Sequence, residues 1–145
     1  MKIEDPEIER LAKQAVHHGF KLHETVGPGL LESAYEAFLA ASLRDAGFHV
    51  EQQLTLPARY RGHVIENAFR IELLIERKLV VEVKSVEKVL KVHHKQVLTY
   101  LRMMQLPLGL LMNFGEHLFG DGTHRVIDSR SSYRAPKLET RALPE

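Results

Sequence analysis

Phe69-Arg70-Ile71-Glu72-Leu73-Leu74-Ile75-Glu76-Arg77-Lys78-Leu79-Val80-Val81-Glu82-Val83-Lys84 decides the reading of this chain. Two runs rich in Leu, Ile and Val flank the polar segment Glu76-Arg77-Lys78, which predicts two strands joined by a short loop. Side chains alternate along a strand, so Glu82 and Lys84 share one side of a sheet and Val81 and Val83 the other. A run this apolar reads as an interior strand, where a Glu and a Lys are costly unless they are paired or hold something. If the loop has three residues and Ile75 pairs with Leu79, Glu72 lies directly opposite Glu82, with Cβ atoms roughly 4.5–5.5 Å apart. Two carboxylates that close repel unless a cation sits between them, and an all-oxygen donor set suits Mg²⁺ or Mn²⁺. A four-residue loop would put the two Glu on opposite faces, and the segment lacks the Gly that a tight loop favours. The structural alternative is an ion-pair cluster in which Lys84 neutralises both acids.

Outward from this hairpin the elements follow a simple order. Asp5-Pro6-Glu7 is a helix start, a capping Asp followed by Pro at the first helical position. Ile8, Leu11, Ala12 and Ala15 then recur at helical spacing to about Gly19 or a turn beyond. Gly27-Pro28-Gly29 resets the chain. A second helix is expected from about Leu30 to before Gly47, with Leu31, Ala34, Tyr35, Phe38 and Ala41 on its apolar face. His49 to Tyr60, Val64 to Ile75 and Leu79 to Ser85 read as strands, with Arg61-Gly62-His63 turning between the first two. A third helix is expected over Lys91 to Met104, then a buried strand from Leu108 to Phe114. Gly120 to Thr123 reads as a turn and His124 to Ile127 as an edge strand. The helix between the Leu79 and Leu108 strands suits a crossover within one sheet. The expectation is an α/β fold of order α-α-β-β-β-α-β: one domain over residues 1–128, then a polar, fraying tail over 129–145.

The chain has 145 residues, 44% of them hydrophobic, enough for one real core. The net charge of +1 gives no global field for nucleic acid, so any such contact is local. The absence of Cys excludes disulfides, thiol nucleophiles and Cys-type zinc or iron–sulfur sites. The nine His form no His-Glu-x-x-His. Their adjacent pairs, His17-His18 and His93-His94, diverge on a helix, which argues against zinc. No apolar leader and no bilayer-length run is present, so a cytoplasmic protein without a membrane segment is expected.

The paired carboxylates, the Glu82-Val83-Lys84 strand and the element order resemble the PD-(D/E)XK nuclease superfamily. Gly29-Leu30-Leu31-Glu32-Ser33-Ala34-Tyr35 resembles, more narrowly, the signature of its GxxExxY branch. The likeness runs from about Val16 to Ile127 and includes the Tyr60-x-Gly62 turn and the Leu108 strand. It implies a restriction-endonuclease-like core, a mixed central sheet flanked by helices, and metal-dependent hydrolysis of phosphodiester bonds. The implied metal ligands are Glu72 and Glu82, with Glu32 as a further acid, and Lys84 positions or activates the attacking water. Glu72 stands where the branch usually has Asp, which puts metal position and rate in question. A catalytically weak or inactive domain that binds nucleic acid or a protein partner is the corresponding alternative.

The remaining candidates have plainer readings beside the functional ones. A carboxylate in the first turn, as at Glu32, also complements a helix dipole. Tyr35 reads as core packing with its hydroxyl at the site edge. Gln96 and Tyr100 share a helix face, and Gln-x-x-x-Tyr resembles a signature of exonuclease-like relatives that borders their active site. Arg59, Arg61, Arg70, Lys88, Lys91 and Lys95 would supply a basic rim for phosphates, with His93 beside them, or are scattered solubilising charge. The implied partner is nucleic acid, DNA first, and a homodimer is compatible with it.

Overall fold

The computed structural model describes residues 3–129 and 139–140. Its sheet has the strand order β5-β4-β3-β2-β1-β6, in which β1 is Val50–Tyr60, β2 His63–Ile75, β3 Leu79–Lys84, β4 Leu108–Asn113, β5 Thr123–Ile127 and β6 Glu139–Thr140. The helices are α1 (Pro6–Val26), α2 (Glu32–Asp45), α3 (Lys91–Met104) and the single turn α4 (Phe119–Gly122). β3 and β4 are parallel and joined through α3, while the other neighbours are antiparallel. The sheet is therefore mixed, as expected for a restriction-endonuclease-like core.

Two apolar cores sandwich the sheet. Ile8, Leu11 and Ala15 of α1 and Tyr35, Leu39 and Leu43 of α2 pack with Leu73, Val81, Val83, Leu110 and Met112. Val97, Tyr100 and Leu101 of α3 pack with Leu74, Val80 and Leu111. The alternation that separates these sets along β3 is the one the sequence predicts.

The β2–β3 loop has three residues, with Ile75 opposite Leu79. It closes without Gly by placing Glu76 (φ 52°) and Arg77 (φ 55°) in the left-handed region. Bulky residues rarely adopt that conformation, and here Arg77 Nε is held by Glu51 Oε1 at 3.0 Å. The β1–β2 turn is the two-residue Arg61-Gly62 link between Tyr60 and His63, with φ positive at both positions as a type I′ turn requires.

Three expectations need correction. α1 continues past Gly19 to Val26, because that glycine is where Phe119 packs against the helix: a Cβ there would lie 2.6 Å from the ring. The buried face of α2 is Tyr35, Glu36, Leu39, Ala40 and Leu43, whereas Leu31 and Phe38 are exposed. Glu36 turns inward because Gln52 Nε2 (3.1 Å) and Gln53 Nε2 both donate to its carboxylate. The segment Gly120–Thr123 is not a plain turn but most of α4 and the first residue of β5. Within the tail, Glu139–Thr140 pairs with Ala58 and Arg59 of β1. The rest of the tail lies outside the described residues.

Candidate active site

β2 and β3 part company at the two acids. Their ladder ends at Leu73 opposite Val81. Beyond it, the Glu72 N–H donates to Glu82 Oε1 (2.9 Å) and the Val83 N–H to Glu72 Oε2 (2.7 Å). Each carboxylate thus takes a backbone donor that a continued ladder would have used or left unpaired. On the other flank, β1 carries Gln53 with φ 52° between Gln52, opposite Leu73, and Leu54, opposite Ile71. Gln53 therefore sits across from Glu72. Packing changes sides at this step: Val50 and Leu73 belong to the α1–α2 core, but Leu54, Leu56, Phe69 and Ile71 to the α3 core. The outer part of the β1–β2 hairpin is turned over and becomes a wall facing α3.

Between wall and helix lies a cavity of about 450 Å³ lined by Glu32, Thr55, Asn67, Ala68, Arg70, Glu72, Glu82, Lys84, Gln96 and Tyr100. All six residues singled out for chemistry in the sequence, Glu32, Glu72, Glu82, Lys84, Gln96 and Tyr100, line it. Glu32 reaches it because the Ser85 hydroxyl donates to the Leu30 carbonyl (2.8 Å), tying the start of α2 to the end of β3. Lys84 Nζ then lies 3.9 Å from Glu32 Oε1. Gln96 Nε2 donates to the Tyr100 hydroxyl (3.0 Å). Burial raises the Tyr100 hydroxyl pKa.

Glu72 and Glu82 are 9% and 1% exposed. Burial, then the neighbouring Glu82 charge, then contact with Glu32 push the Glu72 carboxyl up to about 9, against the pull of the Val83 N–H. Burial raises Glu82 to about 7, opposed by the Glu72 N–H and by Lys84, and reinforced by Glu32 and Glu36. The cavity floor therefore carries more acid than Lys84 neutralises. That surplus and the all-oxygen donor set fit a hard divalent cation. Among the described residues, however, no three His, Asp or Glu converge on one ion position.

Other sequence candidates are placed elsewhere. Arg59, Arg61, Lys88, Lys91 and His93 are not among the residues lining the cavity. Arg61 lies over the Tyr60 ring at the hairpin tip, 5.5 Å from its centroid. His93 Nδ1 accepts from the Leu90 N–H (3.0 Å) and caps α3 instead of facing the acids. The Tyr35 hydroxyl is not at the site edge: it donates to the Gly27 carbonyl (2.5 Å) and accepts from the Leu30 N–H (3.1 Å), pinning the loop before α2. Sequence reasoning missed Thr55 and Asn67, which reach the cavity only through the turnover at Gln53. It also missed Asn113, which is fully buried. Asn113 accepts from the Val86 and Gly115 N–H groups and donates to the Val86 carbonyl, fixing the loop after β3. No local signal marks these three in the sequence.

Among the described residues no helix is long and apolar enough to cross a membrane. Comparison with curated proteins gives no match, and neither does comparison with solved structures. A sequence model of the PD-(D/E)XK nuclease superfamily matches residues 9–126, a span that includes every residue lining the cavity and all of β1 to β4. The chain belongs to the PD-(D/E)XK nuclease superfamily.

Proposed function

We propose that this protein is a divalent-metal-dependent nuclease that hydrolyses phosphodiester bonds of nucleic acid in the cavity between the β1–β2 hairpin and α3. The observation that carries the reading is the surplus of buried carboxylate at Glu72 and Glu82 beside Lys84, in one cavity with Glu32, Gln96 and Tyr100. Glu72 and Glu82, with Glu32, would hold Mg²⁺ or Mn²⁺, which supplies a more acidic bound water and shields phosphate charge. Lys84 donates to the oxygen on which charge develops and orients the attacking water. Gln96 holds the Tyr100 hydroxyl in place at the cavity wall. Membership in the GxxExxY branch, DNA as the substrate, a homodimer and a cytoplasmic location belong to the same proposal. Arg59, Arg61, Lys88, Lys91 and His93 would touch a longer strand outside the cavity.

A second reading, an inactive nuclease-fold domain that binds nucleic acid or a protein, is favoured by the two acids being bonded to backbone N–H groups without a third ligand converging on one ion position among the described residues. Incubation of labelled single- and double-stranded DNA and RNA with Mg²⁺, Mn²⁺ or chelator separates the two. The nuclease reading expects metal-dependent cutting, lost by roughly 10²–10³-fold in Lys84→Ala. Metal-independent degradation, or equal degradation by the variant, would mark a contaminant and defeat it.

A further inference from the structure

The cavity holds a second cation that leaves the acids alone. Arg70 stands two residues before Glu72 on β2 and lines the same cavity as Glu32, Glu72 and Glu82. Its guanidinium nevertheless has no hydrogen-bond or ion-pair partner among the described residues. Three other arginines are engaged: Arg44 with Gln52 and Val50, Arg77 with Glu51, Arg125 with Glu9. An exposed guanidinium beside surplus carboxylate would ordinarily fold onto it. Arg70 lies on the far side of the step between Leu73 and Ile71 at which the packing of the hairpin changes cores. Thr55, directly opposite Arg70, and Asn67 add a hydroxyl and an amide to the same wall, and neither side chain has a partner among the described residues.

A planar fork of donors with a hydroxyl and an amide beside it matches the oxygens of a phosphodiester. The acids occupy the floor and Lys84 stands beside them, so the wall faces the next stretch of strand. We infer that Arg70, with Thr55 and Asn67, forms a subsite that grips the backbone phosphate adjacent to the one being cut. This rests on the nuclease reading and adds a substrate-contacting residue to it.

The test is binding of a fluorescein-labelled single-stranded oligonucleotide, measured by anisotropy over a range of salt in EDTA, where no metal-dependent cutting occurs. Arg70→Ala should bind on the order of tenfold to a hundredfold more weakly, the loss of one charge-assisted contact. Its salt dependence should be shallower by about 0.7 in log–log slope, one phosphate contact on a single strand. Arg70→Lys should keep the slope and fall between the two in affinity, since it keeps the charge without the fork. The urea midpoint should be unchanged in both variants, which a scaffolding role would not allow. Equal affinity and slope for wild type and Arg70→Ala overturns the subsite alone. Failure of wild type to bind any oligonucleotide overturns the subsite, and the metal-dependent cutting assay decides the nuclease reading separately. A mononucleotide that competes as well as the oligonucleotide overturns strand binding in favour of a nucleotide pocket.

Discussion

Replacing Glu72 by Gln tests whether the cavity floor is a strained acid pair awaiting a cation. Gln keeps an oxygen for the Val83 N–H, whose bond to Glu72 is 2.7 Å, and removes the charge. In the folded protein Glu72 is raised from an ordinary carboxyl to about 9 and Glu82 to about 7. The unfolded chain releases both protons near the ordinary value of about 4.3. A raised carboxyl means that the fold binds more protons than the unfolded chain. Its favourable contribution is thus complete below the unfolded value and is lost as pH rises towards the folded one. Between pH 7 and 9 Glu82 completes its ionisation while Glu72 stays largely protonated. Wild type should therefore lose about 1.4 kcal/mol per pH unit there, about 3 kcal/mol in all, and Glu72→Gln should lose almost none. Urea denaturation followed by circular dichroism, in EDTA, at half-unit steps from pH 6 to 9, gives both curves. At pH 8 millimolar Mg²⁺ or Mn²⁺ should stabilise wild type by mass action and the variant much less. Parallel curves in EDTA, with equal metal responses, would refute the argument.

Further expectations follow from single contacts. Glu82→Ala strips the acceptor from the Glu72 N–H and should cost about 1–3 kcal/mol of stability while abolishing any metal-induced rise in thermal midpoint. Calorimetric titration with Mn²⁺ reads the second effect directly. Tyr35→Phe removes two hydrogen bonds from the Gly27–Leu30 loop; it should destabilise the fold by about 1–3 kcal/mol yet leave metal affinity within a fewfold of wild type. Asn113→Ala leaves the Val86 and Gly115 N–H groups without their acceptor, at about 1–3 kcal/mol each. Amide exchange should quicken in the segment from Val86 to Leu90 before it does elsewhere in the sheet.

The opposed acids were legible because strand alternation and a three-residue loop are local properties, and both hold at Ile75 and Leu79. α3 was legible end to end for the same reason, with Lys91 and Met104 as its bounds. The inward face of α2 was not. Phe38 is the more hydrophobic candidate, but Glu36 is drawn inside by Gln52 and Gln53, which arrive from another element. The cavity wall was hidden for a related reason. A non-glycine residue with φ 52° at Gln53 breaks the alternation that every strand argument assumes, and nothing in the local composition announces it. Thr55 and Asn67 are ordinary hairpin residues until that turnover brings them over the acids. The separate destiny of the basic residues is likewise tertiary: Arg70 faces the cavity, whereas His93 is consumed in capping α3.

The bonding of Glu72 and Glu82 to backbone donors also weighs between a scaffold and a site. A sheet that merely needed stability would continue the β2–β3 ladder past Leu73 and Val81, with apolar residues in place of the acids. Replacing buried charges by well-packed apolar groups is often neutral or stabilising. Here the strands open instead, and the freed N–H groups of Glu72 and Val83 are met by the acids themselves. The same arrangement holds the carboxylates at a fixed spacing and leaves their remaining oxygen valence turned to a polar cavity. Lys84 offsets part of their charge, and Glu36, one helical turn after Glu32 and bonded to two neutral amides, adds to it. An ion-pair scaffold would minimise such a surplus, and Arg70, the second cation lining the cavity, makes no ion pair with it among the described residues. Two carboxyls held at a rigid spacing and short of positive charge until a cation joins them are what a metal-assisted phosphodiester reaction asks of a protein and what a purely structural cluster has no reason to retain.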